Sequence, residues 1–207
     1  VLNYLLLLGW APEGEQEIFS LDEMIKIWDP ARISKSPAIF DPLKLRAINA
    51  AYIRALPAEE FRKLADPFID QAVHVQIDRD LLCANLQPRC EVLEDIPPQL
   101  DFFDAVLPID AEMYRNKKQK TTPESAKEAL SALLPVLEAQ TDWSRNAIFE
   151  ACKQKAEAME KKNGWLLFPL GIALSGKART PGGGTDLAAM MGKEETLRRL
   201  NAAIEAL

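Results

Sequence analysis

DPLKLRAINAAYIRAL, residues 41–56, shows how the chain starts and stops its helices. Asp41 is a helix N-cap, and Pro42 occupies the first helical position, where its missing N–H costs nothing. Leu43, Leu45, Ile48, Ala50, Ala51, Tyr52 and Ile53 then surround a mostly buried helix ending near Leu56-Pro57. Thr122-Pro123 repeats the starting device, and Ser20 with Glu23 forms a capping box. The same reading predicts helices over 58–65, 68–76, 78–86, 99–106, 123–139, 142–162, 165–174, 185–191 and 193–206, with Asn163-Gly164 and Gly192 as stops. No stretch alternates at period two, and Val and Ile are sparse beside Leu and Ala, so a sheet is not expected. The expectation is an all-α fold of stacked helix pairs without the constant period of a solenoid.

Composition narrows the function classes. Of 207 residues, 48% are apolar, 27% charged and 7% aromatic, a globular profile that excludes disordered, collagen-like and disulfide-scaffold chains. Cys83, Cys90 and Cys152 make an odd set without C-x-x-C spacing, which points to a reducing compartment and away from a zinc knuckle. The single His74 leaves little for a metal site or a His-driven triad. The opening VLNYLLLLGW is about half the ~20 residues a membrane span requires. It reads as a helix cut at its start, with further domains expected upstream. Net charge is −6, but residues 1–110 carry −9 and residues 111–207 carry +3. An acidic total argues against indiscriminate nucleic-acid binding, while the second half leaves room for a local basic face.

No catalytic constellation emerges. Residues 171–178, GIALSGKA, approximate a phosphate-binding loop, but Ala178 stands where a magnesium-holding hydroxyl is needed, and Ile172-Ala173-Leu174 reads as buried helix. Carboxylates fall in no acid/base spacing. What remains is a binding surface. Gln87-Pro88-Arg89 breaks a helix and presents a guanidinium suited to a base edge, or else one that satisfies local carbonyls. Residues 177–184, KARTPGGG, set two cations and a hydroxyl beside a flexible glycine loop able to approach an unstacked base. Trp165 is either a stacking platform or core. Residues 107–122, with Arg115, Lys117, Lys118 and Lys120, read as an inter-domain connector that is either phosphate-contacting or simply solvated.

Three long motifs in order, NYLLLLGWAPEGEQEIFSLDEMI (3–25), RISKSPAIFDPLKLRAINAAYIR (32–54) and LGIALSGKARTPGGGTDLAAMMGKEETLRRL (170–200), carry a resemblance. With them the chain resembles, end to end, the C-terminal portion of bacterial glutamyl-tRNA synthetase, a class I aminoacyl-tRNA synthetase. The resemblance implies the end of a stem-contact helical domain at 1–55, then an α-helical anticodon-binding cage in two subdomains, 56–118 and 119–207. It implies a parent enzyme that ligates glutamate to tRNA(Glu) through an adenylate. ATP and magnesium are handled upstream, and this piece would be inactive and cofactor-free by itself. Ser34-Lys35-Ser36 is similar to the tail of the ATP-holding lysine loop of that class, but has no nucleotide-binding sheet around it to close over.

The implied partner is tRNA(Glu), alone or together with tRNA(Gln), and the resemblance implies a cytoplasmic monomer that meets no membrane. By the same resemblance Arg89 reads the third anticodon base, and Thr180 and Pro181 contact the first two. Gln87, Lys177 and Arg179 join that site, while Lys44, with Arg46 nearby, contacts the stem backbone. Two positions depart from the family: Gly171 where an arginine is frequent, and Ala47 where a Trp is frequent. The first removes a cation from the middle-base pocket, which leaves discrimination there either weaker or carried by Lys177 or Arg179. The alternative from another class is a non-catalytic helical protein-interaction scaffold whose glycine loop is only a hinge. Glutaminyl-tRNA synthetase, which reads its anticodon with β-barrels, is disfavoured by the lack of strand pattern.

Overall fold

The computed structural model describes residues 1–35 and 37–207; Ser36, the last residue of the Ser34-Lys35-Ser36 tail, lies outside the described residues. Among the described residues the chain forms α1 (Leu2–Gly9), α2 (Leu21–Ile27), α3 (Pro42–Ala55), α4 (Ala58–Ile69), α5 (Arg79–Leu86), α6 (Pro123–Ala139), α7 (Arg145–Ala158), α8 (Asn163–Ser175), α9 (Gly184–Met191) and α10 (Lys193–Ala206). Short 3₁₀ turns include Gln87–Arg89, Leu93–Asp95, Pro97–Gln99 and Ala111–Tyr114. The β pairing described is confined to isolated bridges, Trp10 with Ile33 and Asn116 with Thr121. The all-α expectation therefore holds. No helix among the described residues is long and apolar enough to cross a membrane.

The capping chemistry acts where the residues announced it. Ser20 Oγ accepts from Glu23 N while Glu23 accepts from Ser20 N, closing the box at α2. Asp41 accepts from the backbone N–H groups of Leu43 and Lys44. Thr122 accepts from Ser125 N at the head of α6. Gly192 ends α9 at φ 82°, a conformation available to glycine at little cost.

Several local expectations are corrected. In place of helices at 58–65 and 68–76 there is one helix, α4, which ends at Ile69 with Pro67 inside its last turn, and residues 70–76 are irregular. Asn163-Gly164 opens α8 instead of closing α7; α7 ends at Ala158, with Glu160 in the left-handed region at φ 54° and Lys161 N donating to Ala156 O. The end of the Gln119 side chain rests against Gly164, bringing the 116–121 turn onto the start of α8. Residues 99–106 form turns, since the carbonyls of Phe102 and Phe103 are taken by Arg199. The helix at 41–56 is also less buried than its composition suggests: Ile48, Ala50 and Ile53 are buried, but Leu43 is 76% exposed.

One apolar core runs from Ile53 to Ala203, and α8 lies at its centre, packed against α6, α7, α9 and α10. Apolar on all sides, α8 can only be a core helix. Across this core lies a buried charge. Arg199, 2% exposed, donates to Phe102 O (2.7 Å), Leu174 O (2.6 Å), Phe103 O (2.7 Å) and the Glu195 carboxylate (2.5 Å). All three guanidinium nitrogens donate, through four of the five N–H groups, which is what makes a buried guanidinium tolerable. Arg198 first, then Arg199, hold the Glu195 carboxyl down at about 2. This junction joins α10, the 100–103 turn and the end of α8, and so fixes the platform from which the next loop departs.

Candidate nucleic-acid interface

The end of α8 delivers the chain into the glycine loop. Gly176, at φ 67°, turns it back with a hydrogen bond to Ile172 O. Within the loop, Thr180 Oγ1 donates to Gly182 O (2.7 Å), and Gly182 N returns a bond to Thr180 O (2.9 Å). Gly182, at φ 119°, lies in the region that favours glycine. Asp186, in the first turn of α9, accepts from Gly183 N (2.8 Å) and from Arg145 Nε (2.9 Å). The loop is therefore pinned at both ends, a preorganised turn and not a slack hinge.

A cleft of about 310 Å³ opens in front of it, lined by Arg89, Phe168, Gly171, Lys177, Arg179 and Thr180 among others. Two distant segments meet here. The 3₁₀ turn after α5 carries Arg89, and the glycine loop supplies the facing wall. Arg89 and Arg179 are both exposed and, among the described residues, take part in no hydrogen bond or ion pair. An exposed, unpaired guanidinium keeps its full fork of donors for an incoming acceptor. Lys177 is half-buried and engaged: its Nζ donates to Pro98 O (2.8 Å) and pairs with Asp101. Of the two candidates to replace the cation missing at Gly171, Arg179 is thus the unengaged one. Pro181 is buried and supports the loop from behind, outside the cleft lining.

The remaining sequence candidates lie elsewhere. Gln87 turns its amide to the end of α3, donating to Ile53 O (3.0 Å) and Leu56 O (2.8 Å), away from the cleft that holds Arg89. Arg46 pairs with Glu91 (2.8 Å) and Asp95, and these carboxylates raise its pKa. Lys44 pairs with Glu17 (2.6 Å) at the edge of a separate shallow pocket beside Tyr4, Leu7 and Ile39. Trp165, 6% exposed with Lys161 over its ring, belongs to the core. Leu167 and Phe168, which line the cleft, were not anticipated, because WLLFPL reads as core at every position. The phosphate-loop likeness is excluded by placement: Ser175 is buried inside α8 with its Oγ on Gly171 O, so residues 171–175 have no cradle to offer. Among the described residues no three His, Cys, Asp or Glu are grouped to hold a metal ion.

Comparison with known proteins shows the family to which the fold belongs. Residues 49–204 match the anticodon binding domain family. Over all of its 207 residues the chain is 44% identical to a glutamate--tRNA ligase of Clostridium botulinum strain Hall, of which it covers 43%. It is 43% identical to a glutamate--tRNA ligase of Clostridium acetobutylicum, again covering 43% of that protein. The chain thus spans less than half the length of the curated relatives it matches. A crystal structure of a glutamate tRNA ligase from Elizabethkingia meningosepticum superposes with a TM-score of 0.85 at 29% identity, covering 100% of this chain and 40% of that one. Glutamate-tRNA synthetase from Elizabethkingia anophelis gives 0.78 at 27% identity, over 99% of this chain and 40% of that one.

Proposed function

Because the chain belongs to the anticodon binding domain family, we propose that it recognises the anticodon of a tRNA within a glutamate--tRNA ligase. The substrate is tRNA(Glu), and glutamate activation by ATP takes place in parts of the enzyme outside these 207 residues. Residues 1–55 close a stem-contact region, and 56–118 with 119–207 form the two parts of the cage. The observation that carries this reading is the unpaired Arg89 guanidinium across a cleft from the preorganised 177–184 loop. That juxtaposition offers donors to a base edge and a narrow turn against which a splayed base can lie. Arg179 and Thr180 complete the wall, Arg179 taking the role that an arginine at position 171 would otherwise fill. Lys44 and Arg46, each already paired with a carboxylate, orient the stem-contact surface and do not carry base selection. A protein-interaction scaffold is disfavoured by the family match and by a loop too well tied to serve as a hinge.

The test is Arg89→Gln, assayed by affinity for anticodon stem-loops that differ in the third base. The expected loss is roughly 1 to 3 kcal/mol, concentrated on the preferred base. Equal weakening toward all third bases would refute the assignment.

A further inference from the structure

We propose that a lysine patch at the start of α8 is a second RNA-contacting surface, which grips phosphates next to the cleft without reading sequence; this rests on the anticodon-recognition reading above. Lys117, Lys118 and Lys120 lie on the turn closed by the Asn116–Thr121 bridge. Lys161 and Lys162 lie on the turn that leads into α8. The two turns touch, because the Gln119 side chain lies directly on Gly164. All five lysines are exposed, and among the described residues none is in an ion pair; the Lys161 ammonium lies over the face of Trp165. Of the nine lysines elsewhere, four pair with carboxylates, Lys44 with Glu17, Lys63 with Glu60, Lys153 with Glu150 and Lys177 with Asp101, and Lys193 donates to the carbonyls of Glu138 and Gln140, so what sets this patch apart is five lysines outside any ion pair on two touching turns. Arg115, next in sequence to that turn, is neutralised by Glu112, and the exposed Glu160 immediately precedes Lys161 in the chain.

Placement gives the patch its meaning. Gly164 and Gly171 are seven residues apart, two helical turns, and so lie on the same face of α8 at a separation of about 10 Å. Gly171 lines the cleft, Gly164 carries the patch, and Leu167 and Phe168 line the cleft between them. A strand whose loop bases enter the cleft would therefore carry its flanking phosphates past unpaired ammonium groups. The charge is local: the chain is acidic overall, at −6, so the patch is a directed contact and not a consequence of net charge.

The experiment uses the whole 207-residue chain and compares the wild type, Arg89→Gln, and a variant with Lys117, Lys118, Lys120, Lys161 and Lys162 each changed to Gln. Affinity for anticodon stem-loops with matched and altered third bases is measured across a salt series. The lysine variant should bind every stem-loop about ten-fold or more weakly at low salt. Its log–log salt slope should fall by about 2 to 4 while base preference is kept, at ~0.7–0.9 per lost phosphate contact. The corresponding Lys→Arg variant should restore the slope, which separates a charge effect from misfolding. An unchanged slope with base preference intact would overturn this inference and leave the cleft reading standing. A reduced slope in a protein whose wild type shows no base preference would overturn the cleft reading instead. Loss of heparin binding without loss of RNA binding would assign the patch to another polyanion and end the proposal.

Discussion

The glycines at 171 and 184 face each other where α8 meets α9, and they should respond to the same substitution with opposite signs. A Cβ at Gly184 would lie 2.8 Å from Leu167 O, 2.9 Å from Gly171 N and 3.1 Å from Leu170 Cβ. Two of those atoms are α8 backbone and cannot step aside, so Gly184→Ala must push α9 off α8, at about 1 to 3 kcal/mol. A Cβ at Gly171 meets nothing nearer than Gly184 N at 3.7 Å, an ordinary contact. There the gain in helix propensity dominates, and Gly171→Ala should stabilise by about 0.5 to 1 kcal/mol. The two variants should therefore differ by about 1.5 to 4 kcal/mol. At roughly 2 to 4 °C per kcal/mol for a chain of this size, their melting temperatures separate by about 3 to 16 °C. Thermal unfolding followed by circular dichroism, repeated in urea, reads the difference. Equal melting temperatures, or Gly184→Ala melting higher, would show that the close approach is not what sets the helix spacing.

Further predictions concern groups outside the cleft. Glu195 is held down at about 2 from an ordinary 4.5, so its contribution is complete above pH 4.5 and is lost as pH falls toward 2. Screening of this partly exposed carboxylate leaves about 1 kcal/mol, and Glu195→Gln should flatten that part of an acid-stability curve. Gln87→Ala should lower stability by about 1 to 3 kcal/mol by freeing two carbonyls at the end of α3, yet leave third-base preference untouched; a change in preference would return Gln87 to the site. Burial raises the thiols of Cys83 and Cys90 to about 11 and Cys152 to about 12. All three should resist iodoacetamide at neutral pH until the chain is denatured, and rapid labelling of any one in the native protein would contradict its placement.

What the residues revealed in advance was what neighbours in the chain decide. The caps at Ser20, Asp41 and Thr122 are local hydrogen bonds, complete within three residues, and each forms as its sequence indicates. The stretch at 99–106 has helical composition, but Arg199, nearly a hundred residues away, claims its carbonyls and holds it as turns. Asn163-Gly164 reads as a stop because glycine composition does not say which of two adjoining helices it belongs to, and only the fold places it in the first turn of α8. The candidate site divides in the same way. Arg89, Arg179 and Thr180 lie in legible motifs and line one cleft. Gln87 and Arg46 looked equally available, and only the fold shows their partners, Ile53 and Leu56 for one, Glu91 and Asp95 for the other.

The Arg199 junction has a consequence for how the molecule comes apart. Its guanidinium takes carbonyls from Phe102 and Phe103 in one part of the chain and from Leu174 in another. Severing the polypeptide between residues 118 and 119 would strand a charge in one piece and orphan acceptors in the other. The Phe102–Phe103 turn and the end of α8 are thus mortised to a shared peg, and the glycine loop that leaves α8 keeps its place beside that turn only while both stay folded.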